Sequence, residues 1–165
     1  ALKGLKSHVT KMKKQHEVIY ECSLNADTHQ GHFMAPVALK IPSIDVLKKE
    51  VFGPVLHVIT FDGQNLPEVV DEINQTGYGL TLGIQSRINE TIAYIREHAH
   101  VGNCYVNRNM IGAVVGLQPF GGEGLSGTGP KAGGPLYLQR LCHERTYTVD
   151  TTAAGGNASL MSLTD

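Results

Sequence analysis

Between Pro54 and Asn107 the sequence alternates short apolar runs with amphipathic stretches, and this alternation restricts the chain to few architectures. Val55-Leu-His-Val-Ile-Thr-Phe61 is rich in β-branched residues and is followed by a turn at Asp62 and Gly63, so it reads as a strand. Asn65-Leu-Pro-Glu68 then supplies an N-cap residue, an early helical proline and a first-turn acid. Leu66, Val69, Val70 and Ile73 share one face of the helix this starts, and Gly77 closes it. Leu80 to Ile84 reads as a second strand, Ile88, Ile92, Ile95 and Ala99 mark a second helix, and Gly102 to Val106 forms a third strand. Strand and helix in alternation with short connections predict right-handed crossovers onto a parallel sheet, the α/β class. Open sheets of this kind bind ligands beyond the carboxyl ends of their strands.

The third strand feeds, through Asn107-Arg-Asn-Met-Ile-Gly112, into residues 112–134, where nine of twenty-three residues are glycine. Ordering so many glycines costs backbone entropy, and the usual return is a set of φ > 0 turns or main-chain N–H groups brought close to a ligand. A linker of this length would carry Ser, Gln and Lys, whereas this run threads Val114, Val115, Leu117, Phe120 and Leu125 through its glycines. An ordered loop lining a pocket is the reading that follows.

The flanks are simpler. Residues 2–15 carry Leu2, Leu5, Val9 and Met12 at helical spacing, with Lys3, Lys6, Lys11, Lys13 and Lys14 as the solvated face. A strand at about 17–22 follows, then a polar turn at His29 to His32 and an extended stretch from Phe33 to Ile41, in which Pro36 predicts an edge or irregular strand. Beyond the glycine-rich run, Pro135 to Cys142 reads as a short helix. Arg145-Thr-Tyr-Thr-Val149 alternates as a strand with no local partner, which suggests an edge given to another sheet or another subunit.

With 165 residues, 41% hydrophobic, 18% charged and a net charge of −1, the chain is the size of one domain and can bury a core. It has no basic block of the kind that nucleic acid or an anionic membrane requires. Nor does any apolar run reach the ~20 residues of a membrane span, and no signal peptide opens the sequence, so a cytoplasmic location is expected. Cys22, Cys104 and Cys142 are odd in number and lack C-x-x-C spacing, which argues against disulfides and structural zinc. Cys22 and Cys104 stand in strand-like runs where a structural thiol is the common case, and no metal site is expected from the spacing of the eight histidines.

Glu50-Val-Phe-Gly-Pro54, Val101-Gly-Asn-Cys-Tyr-Val-Asn107 and Pro119-Phe-Gly-Gly-Glu-Gly-Leu-Ser-Gly127 stand in the order and approximate spacing of the carboxyl-terminal part of the aldehyde dehydrogenase superfamily, which the chain resembles. Within it, Leu80-Thr-Leu-Gly-Ile-Gln-Ser-Arg-Ile-Asn-Glu-Thr91, Asn107-Arg-Asn-Met-Ile-Gly-Ala-Val-Val-Gly116 and Thr151-Thr-Ala-Ala-Gly-Gly-Asn157 look like the glutamate-semialdehyde (pyrroline-5-carboxylate) dehydrogenase module of the bifunctional proline utilization A family.

The resemblance implies a fragment. Residues 1–143 would be the carboxyl-terminal part of the catalytic domain and residues 144–165 an oligomerisation strand with its tail. The cysteine nucleophile and general-base glutamate of the family lie upstream, as do an NAD-binding domain and a FAD-dependent proline dehydrogenase domain. The implied chemistry is cysteine attack on L-glutamate γ-semialdehyde, hydride transfer to NAD and thioester hydrolysis, none of it catalysed by this chain alone.

By the same resemblance, Glu50 corresponds to the acceptor for the ribose hydroxyls beside the nicotinamide and Phe52 to the aromatic packed near that ring. A carboxylate is acceptor-only and suits a diol. Gly112 and Ala113 correspond to the loop whose backbone N–H groups hold the substrate α-carboxylate. Phe120 corresponds to an aromatic wall around the aldehyde chain, or else packs the core of its own loop. Two other readings stay open: a self-associating module without catalysis, and a dehydrogenase module for another aldehyde.

Overall fold

The computed structural model describes residues 1–114, 116–150 and 162. Val115 and, apart from Ser162, the tail from Thr151 to Asp165 lie outside the described residues, and with them the Thr151 to Asn157 segment of the resemblance.

Helix α1 (Leu2–Gln15) forms where the apolar stripe predicts it and buries Val9 and Met12. These pack on Val37, Leu39 and Ile41, with Met34, Val46, Leu47, Val55 and Ile59 around them. Lys3, Lys6, Lys11 and Lys14 are exposed, and Lys13 donates to Glu21 at 2.5 Å. Lys13 and Lys14 also sit in the last turn, where a cation complements the helix dipole. Strands β1 (Glu17–Glu21), β2 (Val37–Lys40) and β3 (Val55–Val58) form one sheet in that order. β1 runs antiparallel to β2, and β2 parallel to β3.

β2 is therefore central, so of the two readings that Pro36 left open, edge or irregular, the edge one fails, while the β1–β2 register does shift between Val18 and Tyr20. The proline stands one residue before the strand, where its missing N–H breaks no ladder bond, and its carbonyl accepts from the Cys22 N–H at 2.9 Å. β3 stops at Val58, short of Phe61, which is half exposed. A 3₁₀ turn over Gly63–Asn65 follows, capped by Asp62, whose carboxylate accepts from the Gln64 N–H at 2.9 Å.

Helix α2 (Leu66–Gln75) has Pro67 and Glu68 in its first turn and buries Val70. Gly77 follows its end at φ 75°, a left-handed conformation that suits glycine. Helix α3 (Asn89–His98) buries less than expected, since Ile88 caps it and is 59% exposed. The two helices are tied by Asn74, which donates to the His98 carbonyl and accepts from the His100 N–H, both at 2.8 Å.

β4 (Tyr78–Gly79) pairs antiparallel with β7 (Glu123–Gly124), so the glycine-rich loop closes onto the end of α2. β5 (Thr81–Ile84) and β6 (Asn103–Val106) are parallel, as the crossover through α3 requires. The parallel sheet is thus present in two pieces. Among the described residues β3 and β5 are not hydrogen-bonded neighbours, because a crossover fixes strand direction without fixing adjacency. Pro135 to Cys142 holds only a 3₁₀ turn at Gln139–Leu141, fully on the surface, so the expected helix has no face to bury. Residues 145–149 form no strand here and are exposed throughout, as a strand without a partner must be.

Candidate functional site

The carboxyl ends of β5 and β6 are clamped together before the loop begins. Asn107 sits at φ 53°, which asparagine tolerates, and its amide accepts from the Ser86 N–H at 3.0 Å and donates to the Ser86 carbonyl at 2.8 Å. The next residues form a short arch. At its two ends, the Ile111 N–H donates to Asn109 Oδ1 at 2.8 Å and the Val114 N–H to Gln118 Oε1 at 3.0 Å. Between them the N–H groups of Gly112 and Ala113 have no acceptor among the described residues. Gly112 takes φ 65°, with open space where a side chain would be.

Further along, the loop is bolted to the start of β6. The Asn103 side chain donates to the Pro119 carbonyl at 3.1 Å and accepts from the Gly121 N–H and from Lys131 Nζ, each at 3.3 Å. Lys131 also donates to the Gly102 carbonyl. Asn103 is 8% exposed, a buried amide whose bonds are met. The backbones of Gly102 and Gly121 come so close that a Cβ on Gly102 would collide with the Gly121 carbonyl. Phe120 and Ala132 exchange backbone bonds of 3.1 and 2.9 Å across the loop. Tyr105, 6% exposed, donates its hydroxyl to the Gly112 carbonyl at 2.8 Å. The described residues of the run thus form an ordered loop.

It lines a cleft of about 320 Å³ with Ala113, Gly116, Gln118, Pro119, Phe120 and Ala132. The structure thus brings Ala113 and Phe120 together, with Gly112 adjoining in the chain. Phe120 lines the cleft and also carries the backbone bridge to Ala132 across the loop. Glu50 is exposed and lies in a second cleft, of about 410 Å³, with Lys49, Val51, His57, Tyr78 and Ser126. Ser126 joins the two regions: it belongs to the glycine-rich loop, and its hydroxyl accepts from the Gly79 N–H at 3.1 Å. Phe52 is 85% exposed, close in sequence to Glu50 on the coil before β3.

His57 lines the second cleft and meets a histidine of α1. His57 and His8 of α1 approach at 3.0 Å between their Nε2 atoms and meet edge to face. Burial holds both below the usual histidine range, aided for His8 by Lys11 and Lys49 and for His57 by His8 and His16. Burial pushes the Cys104 thiol up against a weaker opposing pull from Arg96, which leaves that thiol unactivated. Cys22 is half-buried and Cys142 exposed. Among the described residues no cluster of three metal-ligating side chains occurs, and no helix is long and apolar enough to cross a membrane. Asn103, Tyr105 and Lys131 are the site residues that the sequence reading did not single out. Only the burial of two polar residues at alternate positions of one strand could have signalled the first two.

Comparison with known proteins places this geometry. The bifunctional protein PutA of Escherichia coli (strain K12) is 64% identical over 115 residues, which cover 70% of this chain and 9% of that protein. A crystal structure of a Bradyrhizobium japonicum proline utilization A (PutA) mutant superposes with a TM-score of 0.82 at 49% identity, covering 93% of this chain and 15% of that one. A 1-pyrroline-5-carboxylate dehydrogenase from Thermus, solved with bound NAD, gives 0.71 at 36% identity over 84% of this chain and 26% of its own. The chain therefore spans a small part of the length of these relatives. The aldehyde dehydrogenase family model matches residues 1–147, so the chain belongs to the aldehyde dehydrogenase family.

Proposed function

We propose that this chain is the carboxyl-terminal part of an NAD-dependent dehydrogenase that oxidises L-glutamate γ-semialdehyde to L-glutamate, within a bifunctional enzyme that also oxidises proline. The observation that carries the reading is the pair of adjacent amides at Gly112 and Ala113 that have no acceptor among the described residues, beside a cleft lined by Phe120. Neighbouring N–H groups without side chains in the way form a concavity that takes a carboxylate. The aldehyde chain would then run along Phe120. The similarity to PutA and to a 1-pyrroline-5-carboxylate dehydrogenase supports the choice of substrate.

The residues present fit a dinucleotide. Glu50 offers an exposed, acceptor-only carboxylate inside a cleft, suited to ribose hydroxyls, and Phe52 offers an uncovered ring nearby in sequence. NAD, when bound, supplies the hydride acceptor. Upstream domains of the same polypeptide would supply the cysteine, the general base, the rest of the dinucleotide site and the FAD-dependent proline dehydrogenase. Residues 1–143 would complete the catalytic domain, and residues 145–149, within the 144–165 segment, would add a strand to another subunit of a homo-oligomer.

Ala113→Pro in the full-length protein tests the anchor, because proline removes one N–H and adds little bulk. Losing one charge-assisted bond costs ~1.5–3 kcal/mol. The kcat/KM for glutamate semialdehyde should fall by that amount relative to an uncharged aldehyde of similar length. Equal losses on the two aldehydes with an unchanged melting temperature would place the carboxylate elsewhere.

A further inference from the structure

We infer that Tyr105 is the positioning residue for the Ala113 amide, an inference that rests on the carboxylate-anchor reading above. A trans peptide unit is planar, with its C=O and N–H pointing in opposite directions, so whatever fixes the Gly112 carbonyl also aims the Ala113 N–H. No peptide bond among the described residues is cis, and the Gly112 carbonyl is held by the Tyr105 hydroxyl at 2.8 Å. The Ala113 N–H is therefore aimed away from Tyr105.

Nothing else recorded among the described residues holds that peptide plane. Gly112 has no atom within 4 Å of where its Cβ would be, and the arch's other bonds act on the amides of Ile111 and Val114. A glycine at positive φ in open space is free to let the plane rotate, and rotation would turn a carbonyl toward an incoming carboxylate.

Tyr105 itself is well fixed. It shares a face of β6 with Asn103, as alternation along a strand requires, and both are buried. Its hydroxyl accepts from Asn103 Nδ2 at 3.2 Å, and Asn103 is held in turn by Lys131 and the Gly121 N–H. The Arg108 guanidinium lies over the ring, 4.8 Å from its centre. A relay thus runs from Lys131 through Asn103 and Tyr105 to the Gly112 carbonyl.

Tyr105→Phe in the full-length protein keeps the ring and removes the hydroxyl. The quantity to measure is the ratio of kcat/KM for L-glutamate γ-semialdehyde to that for an uncharged aldehyde of similar length, in wild type, Tyr105→Phe and Ala113→Pro. A ratio cancels any loss of folded enzyme. The expected result is a ratio lowered about tenfold in both variants, carried mainly by KM for the semialdehyde. A ratio lowered by Ala113→Pro alone overturns the role of Tyr105 and leaves the anchor standing. A ratio lowered by Tyr105→Phe alone overturns the route through the peptide, and an unchanged ratio in both removes the inference together with the anchor.

Discussion

Glu50 shows how much a single side chain depends on its surroundings for meaning. Exposed on a coil, it would pass for a solvated acid, but it lies in a cleft that also holds Ser126 from a loop 76 positions away. Glu50→Ala in the full-length protein should lower kcat/KM for NAD by roughly tenfold to a hundredfold, the loss of ~1.5–3 kcal/mol for bonds to a charged acceptor. The KM for the aldehyde should hardly move, and NAD kinetics equal to wild type would return Glu50 to the surface. Asn103 is the opposite case. Its sequence context says only that it lies in a strand, because its partners Pro119, Gly121 and Lys131 are 16 to 28 residues away and no local pattern announces them. Gly112 and Ala113 are proposed from the motif around them, whereas the contact of the Tyr105 hydroxyl with the Gly112 carbonyl leaves no mark in the local sequence.

Elements were easier to read than their pairings. The apolar stripe of α1 and the capping signals of α2 are local, and both helices form where those signals stand. Which strands neighbour which is a tertiary outcome, so the edge reading of Pro36 misplaced β2 and the crossover pattern did not reveal that β3 and β5 are apart. Leu39, fully buried at the centre of β2, joins α1 to the sheet. Leu39→Ala should cost about 2–5 kcal/mol, read as a lower denaturation midpoint. The contact between α1 and β3 should also depend on pH. The Nε2 atoms of His8 and His57 face each other at 3.0 Å, and burial lowers both from an ordinary value of 6.5, aided at His8 by Lys11 and Lys49 and at His57 by His8 and His16. The unfolded chain then takes up protons first as pH falls, so this stability is present above 6.5 and is lost as pH drops below it toward the folded-state values. Melting temperature should decline from about pH 7 to about pH 5, and less steeply in a His8→Gln, His57→Gln double variant. Equal slopes would show that the pair is not the source.

Much of the exposed apolar surface lies on one sheet and at the carboxyl end: Val18, Ile19, Tyr20 and Leu56, then Leu136, Leu138, Leu141 and Tyr147. A sheet divided into two pieces and an alternating 145–149 segment with no strand partner among the described residues support one reading, that this chain packs against more protein. Deleting residues 145–149 from the full-length protein should lower its oligomeric state in sedimentation, and an unchanged mass would remove the strand from the assembly. The central claim, that this chain supplies cofactor orientation and a carboxylate anchor but not the reacting groups, is tested most directly by NADH formation from L-glutamate γ-semialdehyde and NAD. Steady NADH production is expected from the full-length protein and none from the 165-residue chain purified alone, whose Cys104 thiol is pushed up by burial. Turnover by the isolated chain, or a full-length protein inert toward this aldehyde, would contradict it.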